Sequence, residues 1–110
     1  MEVTFDFSDR VALVTGVSGS LGSHVAEAFL EAGGTVIGTD RRAPSETDSP
    51  LSAEQITFHE ADLTDESAVE SLLETVIDEH GRLDFLLNVA GTWAGGDPIE
   101  ETDLGDFEML

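Results

Sequence analysis

Three glycines at a regular interval, Gly16, Gly19 and Gly22, lie in the segment Val14-Thr15-Gly16-Val17-Ser18-Gly19-Ser20-Leu21-Gly22, between an apolar run and a helical pattern. Their chemistry is that of missing side chains. Gly16 permits a tight turn, Gly19 lets the backbone approach a pyrophosphate with no Cβ in the way, and Gly22 allows close helix–strand packing. Free N–H groups at the start of the helix that follows favour an anion. A glycine turn alone also occurs for plain backbone reasons. Here a strand pattern precedes it, a helix pattern follows, and an acid, Asp40, ends the next strand pattern, which together make a dinucleotide-binding fingerprint.

Asp40 is placed to accept hydrogen bonds from the adenosine ribose hydroxyls and to repel a 2′-phosphate, so NAD is the expected cofactor. Arg41 and Arg42 follow it directly and are half of the chain's four basic residues. An arginine there accommodates the extra phosphate of NADP, which stays as the second reading. Other reactive side chains point nowhere in particular. His24, His59 and His80 lack metal-ligand spacing, and His80 suits a helix C-terminus. Asp97, Glu100 and Glu101 read as a solvated acidic face, and the absence of cysteine removes disulfides and thiolate metal sites.

The elements that position the glycine turn follow from periodicity. Residues 11–14 are a continuous apolar run, as expected for a strand buried on both faces of a parallel sheet. From Ser20 the positions Leu21, Val25, Ala28/Phe29 and Ala32 recur at helical spacing until Gly33-Gly34. Residues 35–39 form a second strand ending at Asp40, and residues 43–55, rich in Pro and Ser, read as a surface connection. Residues 56–61 form a third strand. Thr64 is the expected N-cap of a second helix, with Asp65 and Glu66 in its first turn, an apolar stripe of Val69, Leu72/Leu73 and Val76/Ile77, and a stop at His80-Gly81. Residues 83–87 are a fourth strand running into Asn88-Val89-Ala90-Gly91. A glycine-rich loop with Trp93 follows, and Thr102 or Asp103 caps a last helix with Leu104, Phe107 and Leu110. Strands alternating with helices predict an α/β Rossmann-type domain, its parallel sheet flanked by helices, with strand order 3-2-1-4 and no second domain.

Composition narrows the setting. Twenty-four acidic residues against four arginines and no lysine give a formal charge of −20 over 110 residues, scattered among apolar positions rather than run in blocks. Self-repulsion of that size weakens the compact state at low salt and is screened at molar salt, which reads as adaptation to high salt. A nucleic-acid partner is disfavoured for want of a basic footprint. Neither a membrane span nor a signal peptide is supported, so the expected location is the cytoplasm.

The chain resembles the N-terminal half of a short-chain dehydrogenase/reductase. The likeness rests on Thr15-Gly16 through Gly22, on Asp62-Leu63 after the third strand, and on Asn88-Val89-Ala90-Gly91 after the fourth, with Gly-Arg-Leu-Asp-Phe-Leu-Leu before Asn88. The resemblance implies an NAD(P)-dependent oxidoreductase. It implies cofactor contacts at Gly16, Ser18, Gly19, Leu21, Asp40, Asp62, Leu63, Asn88, Ala90 and Gly91, with Asp62-Leu63 at the adenine ring. Ser20 stands where simple members carry glycine, and with Ser23-His24 it resembles the sugar-nucleotide epimerase branch; Val89 replaces a second asparagine. The family's catalytic tyrosine and lysine have no counterpart, since the chain holds neither residue type. The resemblance therefore implies a cofactor-binding half truncated before the catalytic segment, with a small-molecule substrate only in a full-length form and an exposed fourth strand prone to association, including homo-oligomers. The alternative is a non-catalytic dinucleotide-binding module.

Overall fold

The computed structural model of the chain describes residues 4–52, 54–91, 96, 98–101 and 103–109, with backbone alone at 106, 107 and 109. Trp93, Asp97, Thr102 and Leu110 lie outside the described residues. In chain order the elements are β1 (Val11–Thr15), α1 (Ser20–Glu31), β2 (Thr35–Asp40), β3 (Thr57–Glu60), α2 (Glu66–His80), β4 (Phe85–Leu87) and α3 (Leu104–Met109), with single 3-10 turns at Pro44–Glu46 and Ile99–Glu101. The four strands form one parallel sheet in the order β3-β2-β1-β4, as the alternation of patterns predicts.

Burial explains the continuous apolar run of β1. Ala12 and Val14 face α1 and pack with Val17, Ala26, Phe29 and Val36, whereas Val11 and Leu13 face α2 and pack with Ile37, Leu72 and Val76. Side chains alternate across the strand, so a strand covered on both sides has no polar face. At the sheet's edge the cover is thinner. Leu86, the register partner of Leu13, is 51% exposed, and on α2 Leu73 and Ile77 remain partly exposed beside the buried Leu72 and Val76.

Several boundaries differ from the sequence expectation for identifiable reasons. β4 begins at Phe85 rather than at residue 83, because Phe85 pairs with Ala12 and the ladder has no partner strand before Val11. Leu83 instead packs against the α2-side core. The N-cap of α2 is Asp65, not Thr64: the Asp65 carboxylate accepts from the Ser67 amide at 3.0 Å. Thr64 is taken by Asp62, whose Oδ1 accepts both its amide and its hydroxyl, a local Asx turn that competes with capping. Gly81 ends α2 in the left-handed conformation, φ 74°, as its residue type favours. The 43–55 segment is more than a connection. Leu51 is buried in the α1-side core, and the Thr47 hydroxyl donates to the Ser18 carbonyl at 3.1 Å, bracing the glycine turn from outside.

Candidate functional site

At the C-terminal ends of β1, β2 and β4 the chain opens into a cleft of about 690 Å³. Its position follows from topology: β1 sends its crossover to β2 on one side and neighbours β4 on the other, so the loops part there and leave a crevice.

The glycine turn forms the floor. Gly16 sits at φ +66°, and a Cβ on it would stand 2.8 Å from the Ala90 Cα and 2.9 Å from its nitrogen. Both the turn and the close approach of the β4 loop therefore require glycine. A Cβ on Gly22 would collide with the Gly16 carbonyl oxygen, so at this position α1 packs directly on the turn's own backbone. Gly19 is different. It is the N-cap of α1 with extended backbone, no side chain caps the helix, and a Cβ there would meet only the Gly16 oxygen at 3.4 Å. The fold does not need a glycine at 19, and the residue fronts the open cleft. Behind it, the first amides of α1 are the donors that any helix start leaves unpaired.

The turn is fastened to β2. The Val17 amide donates to the Thr39 carbonyl, the Ser18 amide to Asp40 Oδ2 at 3.1 Å, and the Ser18 hydroxyl to the Arg42 carbonyl at 2.6 Å. Gly38 makes room for this docking, since a Cβ there would press on the fully buried Val17 side chain. The β4 loop is fastened by Thr15, a buried residue whose hydroxyl oxygen accepts from the Val89 and Ala90 amides, both at 3.0 Å. Along the sequence Thr15 stands only as the residue before Gly16 in the glycine motif. A hydroxyl at the end of an otherwise apolar buried strand was the available signal of a polar clamp.

Of the expected contact residues, the structure gathers Gly16, Gly19, Leu21, Asp40, Leu63, Ala90 and Gly91 around one cleft, with Gly22, Arg41, Ala61, Thr64 and Val89 completing its wall. Ser18 is buried beneath the turn, its hydroxyl bonded away from the cleft. Asn88 is exposed outside the wall. Asp62 stands at the rim, where the Thr64 hydroxyl and amide, and more weakly the Arg41 guanidinium, hold its carboxyl below the usual carboxylate range. Asp40 Oδ1 accepts from the Arg41 amide at 2.7 Å, and each carboxylate oxygen keeps a further lone pair. The histidines lie elsewhere: His24 bonds its own helix, and His59 and His80 flank Glu79. Among the described residues no group of three or more histidines or acids is arranged to hold a metal.

A family profile, short chain dehydrogenase, matches residues 10–110. The chain belongs to the short-chain dehydrogenase/reductase family. Its relatives include the 2-dehydro-3-deoxy-D-gluconate 5-dehydrogenase of Dickeya dadantii, 35% identical over 88% of this chain and 39% of that protein. The 3-oxoacyl-acyl-carrier-protein reductase of Vibrio harveyi is 40% identical over 74% of this chain and 34% of its own length. Among solved structures, a short-chain dehydrogenase/reductase of the glucose/ribitol dehydrogenase type from Brucella melitensis superposes with a TM-score of 0.80 at 28% identity, covering 96% of this chain and 46% of that one. The chain thus spans less than half the length of the relatives it matches. Among the described residues, no helix is long and apolar enough to cross a membrane.

Proposed function

We propose that these residues form the cofactor-binding part of an NAD(P)-dependent oxidoreductase that moves a hydride between a nicotinamide and a hydroxyl/carbonyl pair. The observation that carries the reading is Gly19: it fronts the cleft at the N-cap of a twelve-residue helix, and nothing in the fold requires glycine there. That arrangement fits a pyrophosphate, which needs backbone approach and unpaired amides. When bound, the nicotinamide supplies or accepts the hydride.

In this reading Gly16, Gly19 and Leu21 border the pyrophosphate, with Ser18 holding the turn beneath it. Asp40 accepts from the adenosine ribose hydroxyls, which makes NAD the preferred cofactor over NADP. Leu63, in the turn opened by Asp62, flanks the adenine. Asn88, Ala90 and Gly91 border the nicotinamide side, where Thr15 fixes the loop. The 110 residues contain no tyrosine or lysine. Proton transfer to the substrate oxygen is assigned to none of them. The charge of −20 supports a protein working in a salt-rich cytoplasm.

Calorimetric titration of NADH into the 110-residue chain in about 1 M KCl tests the reading. Saturable binding is expected, weakened at least about tenfold by Gly19→Val with little change in thermal midpoint. A folded parent chain that shows no saturable uptake of NADH would sink it. The same preparations should show a thermal midpoint that rises from about 0.1 M to about 1 M salt.

A further inference from the structure

Among the described residues, Arg41 is the one cation in the wall of the cleft. It follows Asp40 at the end of β2, where an arginine can meet a ribose 2′-phosphate. Its guanidinium is drawn toward the neighbouring end of β3: Nη2 lies 3.6 Å from Asp62 Oδ1. That oxygen is well anchored, because it also accepts the Thr64 amide at 2.9 Å and the Thr64 hydroxyl at 2.6 Å. A long, exposed cation thus sits beside a carboxylate that two short local bonds keep in place.

Among the described residues, no other cation lines the cleft. Asp40 presents a carboxylate to the cleft, and Arg42 contributes its backbone carbonyl to Ser18. Arg10 and Arg82 pair with Asp84 at the far end of the sheet. A 2′-phosphate entering beside Asp40 would therefore meet one carboxylate there, a second at Asp62, and a guanidinium already engaged by that second carboxylate. The two carboxylates oppose a dianion and the second offsets the guanidinium's attraction, whereas an uncharged 2′-hydroxyl feels little of either.

We propose that Asp62 is a specificity-determining residue: by drawing Arg41 to the neighbouring strand end and offsetting its charge, it makes the cleft discriminate against 2′-phosphorylated nucleotides. This rests on the nucleotide reading of the cleft. It separates two roles at Asp62, the turn it builds with Thr64 and the cation it withholds. The substitution Asp62→Asn divides them, because an amide oxygen still accepts both Thr64 bonds and only the charge is lost.

The test is the ratio of dissociation constants for adenosine 2′,5′-bisphosphate and 5′-AMP. It is measured by calorimetry on the full chain, in the lowest salt at which the chain stays folded, for the parent, Asp62→Asn, Arg41→Gln and the double variant. Effects on adenine binding cancel in the ratio. Asp62→Asn is expected to shift it toward the bisphosphate by about fivefold, and the shift should vanish when Arg41 is already glutamine. An equal shift without Arg41 would mean that only the negative field of Asp62 matters, and would overturn the proposal. So would an unmoved ratio with AMP still bound. Failure of the folded parent chain to bind either ligand would instead remove the nucleotide reading, and this inference with it.

Discussion

The seam between β1 and β4 is crossed at each end by one polar side chain, and the two ends are built to opposite rules. At the C-terminal end the neutral Thr15 hydroxyl accepts the Val89 and Ala90 amides. At the N-terminal end the Asp84 carboxylate accepts the Val11 amide at 2.8 Å and a two-pronged contact from Arg82, with Arg10 nearby at 3.6 Å. Phe7, Phe29 and Phe85 close that same end, ring against ring at centroid distances of 4.5 to 5.6 Å. The N-terminal end satisfies its polar groups internally and seals itself with aromatic surface. The C-terminal end holds its loops with neutral bonds and leaves glycine backbone facing open space. An anion site has to be of the second kind, since its donors must remain unspent until a ligand arrives.

The strongest way to break this comparison is within the glycine turn. Gly22→Ala should destabilise the chain by about 3 kcal/mol or prevent folding, because a Cβ meets the Gly16 carbonyl and neither backbone segment can yield. Gly19→Ala, three residues earlier, should cost less than about 1 kcal/mol in chemical denaturation while still weakening nucleotide binding. Comparable losses of stability at both positions would mean that the turn is a packing device throughout.

Next in size is Thr15→Val, which fills the same volume but removes the acceptor of two amides. A loss of about 1–2 kcal/mol is expected, with faster hydrogen exchange at Val89 and Ala90 than elsewhere in the sheet. Unchanged exchange at those amides would show that the loop is held by something other than the clamp.

The smallest effect sharpens the contrast through pH. Hydrogen bonds from Arg82 and from the Val11 amide, with the charges of Arg82 and Arg10 adding to them, lower the Asp84 carboxyl to about 2. Its folded value lies below its unfolded value of about 4, so its contribution is present above pH 4 and fades as pH falls toward 2. Asp84→Asn should therefore be less stable than the parent near neutrality, with the gap narrowing on acidification. The Thr15→Val deficit should stay flat over the same range. A constant Asp84→Asn gap from pH 6 to pH 2 would show that ionisation plays no part in that clamp.

Much of this architecture could be read along the chain because its causes are local. The burial of β1 shows in residues 11–14, the stop of α2 in Gly81, and the turn in Gly16, whose positive φ its residue type permits. The strand order followed from alternation and crossover handedness. What escaped were competitions between nearby groups and contacts between distant ones. Thr64 had the chemistry of a cap, and Asp62, two residues back, claimed it first. Residues 43–55 have the composition of a loop, yet Leu51 and Thr47 place the segment against the core and against Ser18.

By itself, then, the sequence determined the class of the fold, the location of the glycine turn and the acid that ends β2, because strand, turn and helix preferences act over a few neighbouring residues. Only the tertiary structure decided that Gly22 packs on the turn's backbone while Gly19 fronts open space, that Thr15 binds the β4 loop, and that Arg41 stands beside Asp62 at the neighbouring strand end. Those outcomes depend on distances between segments far apart in the chain, which residue types and spacing alone do not specify.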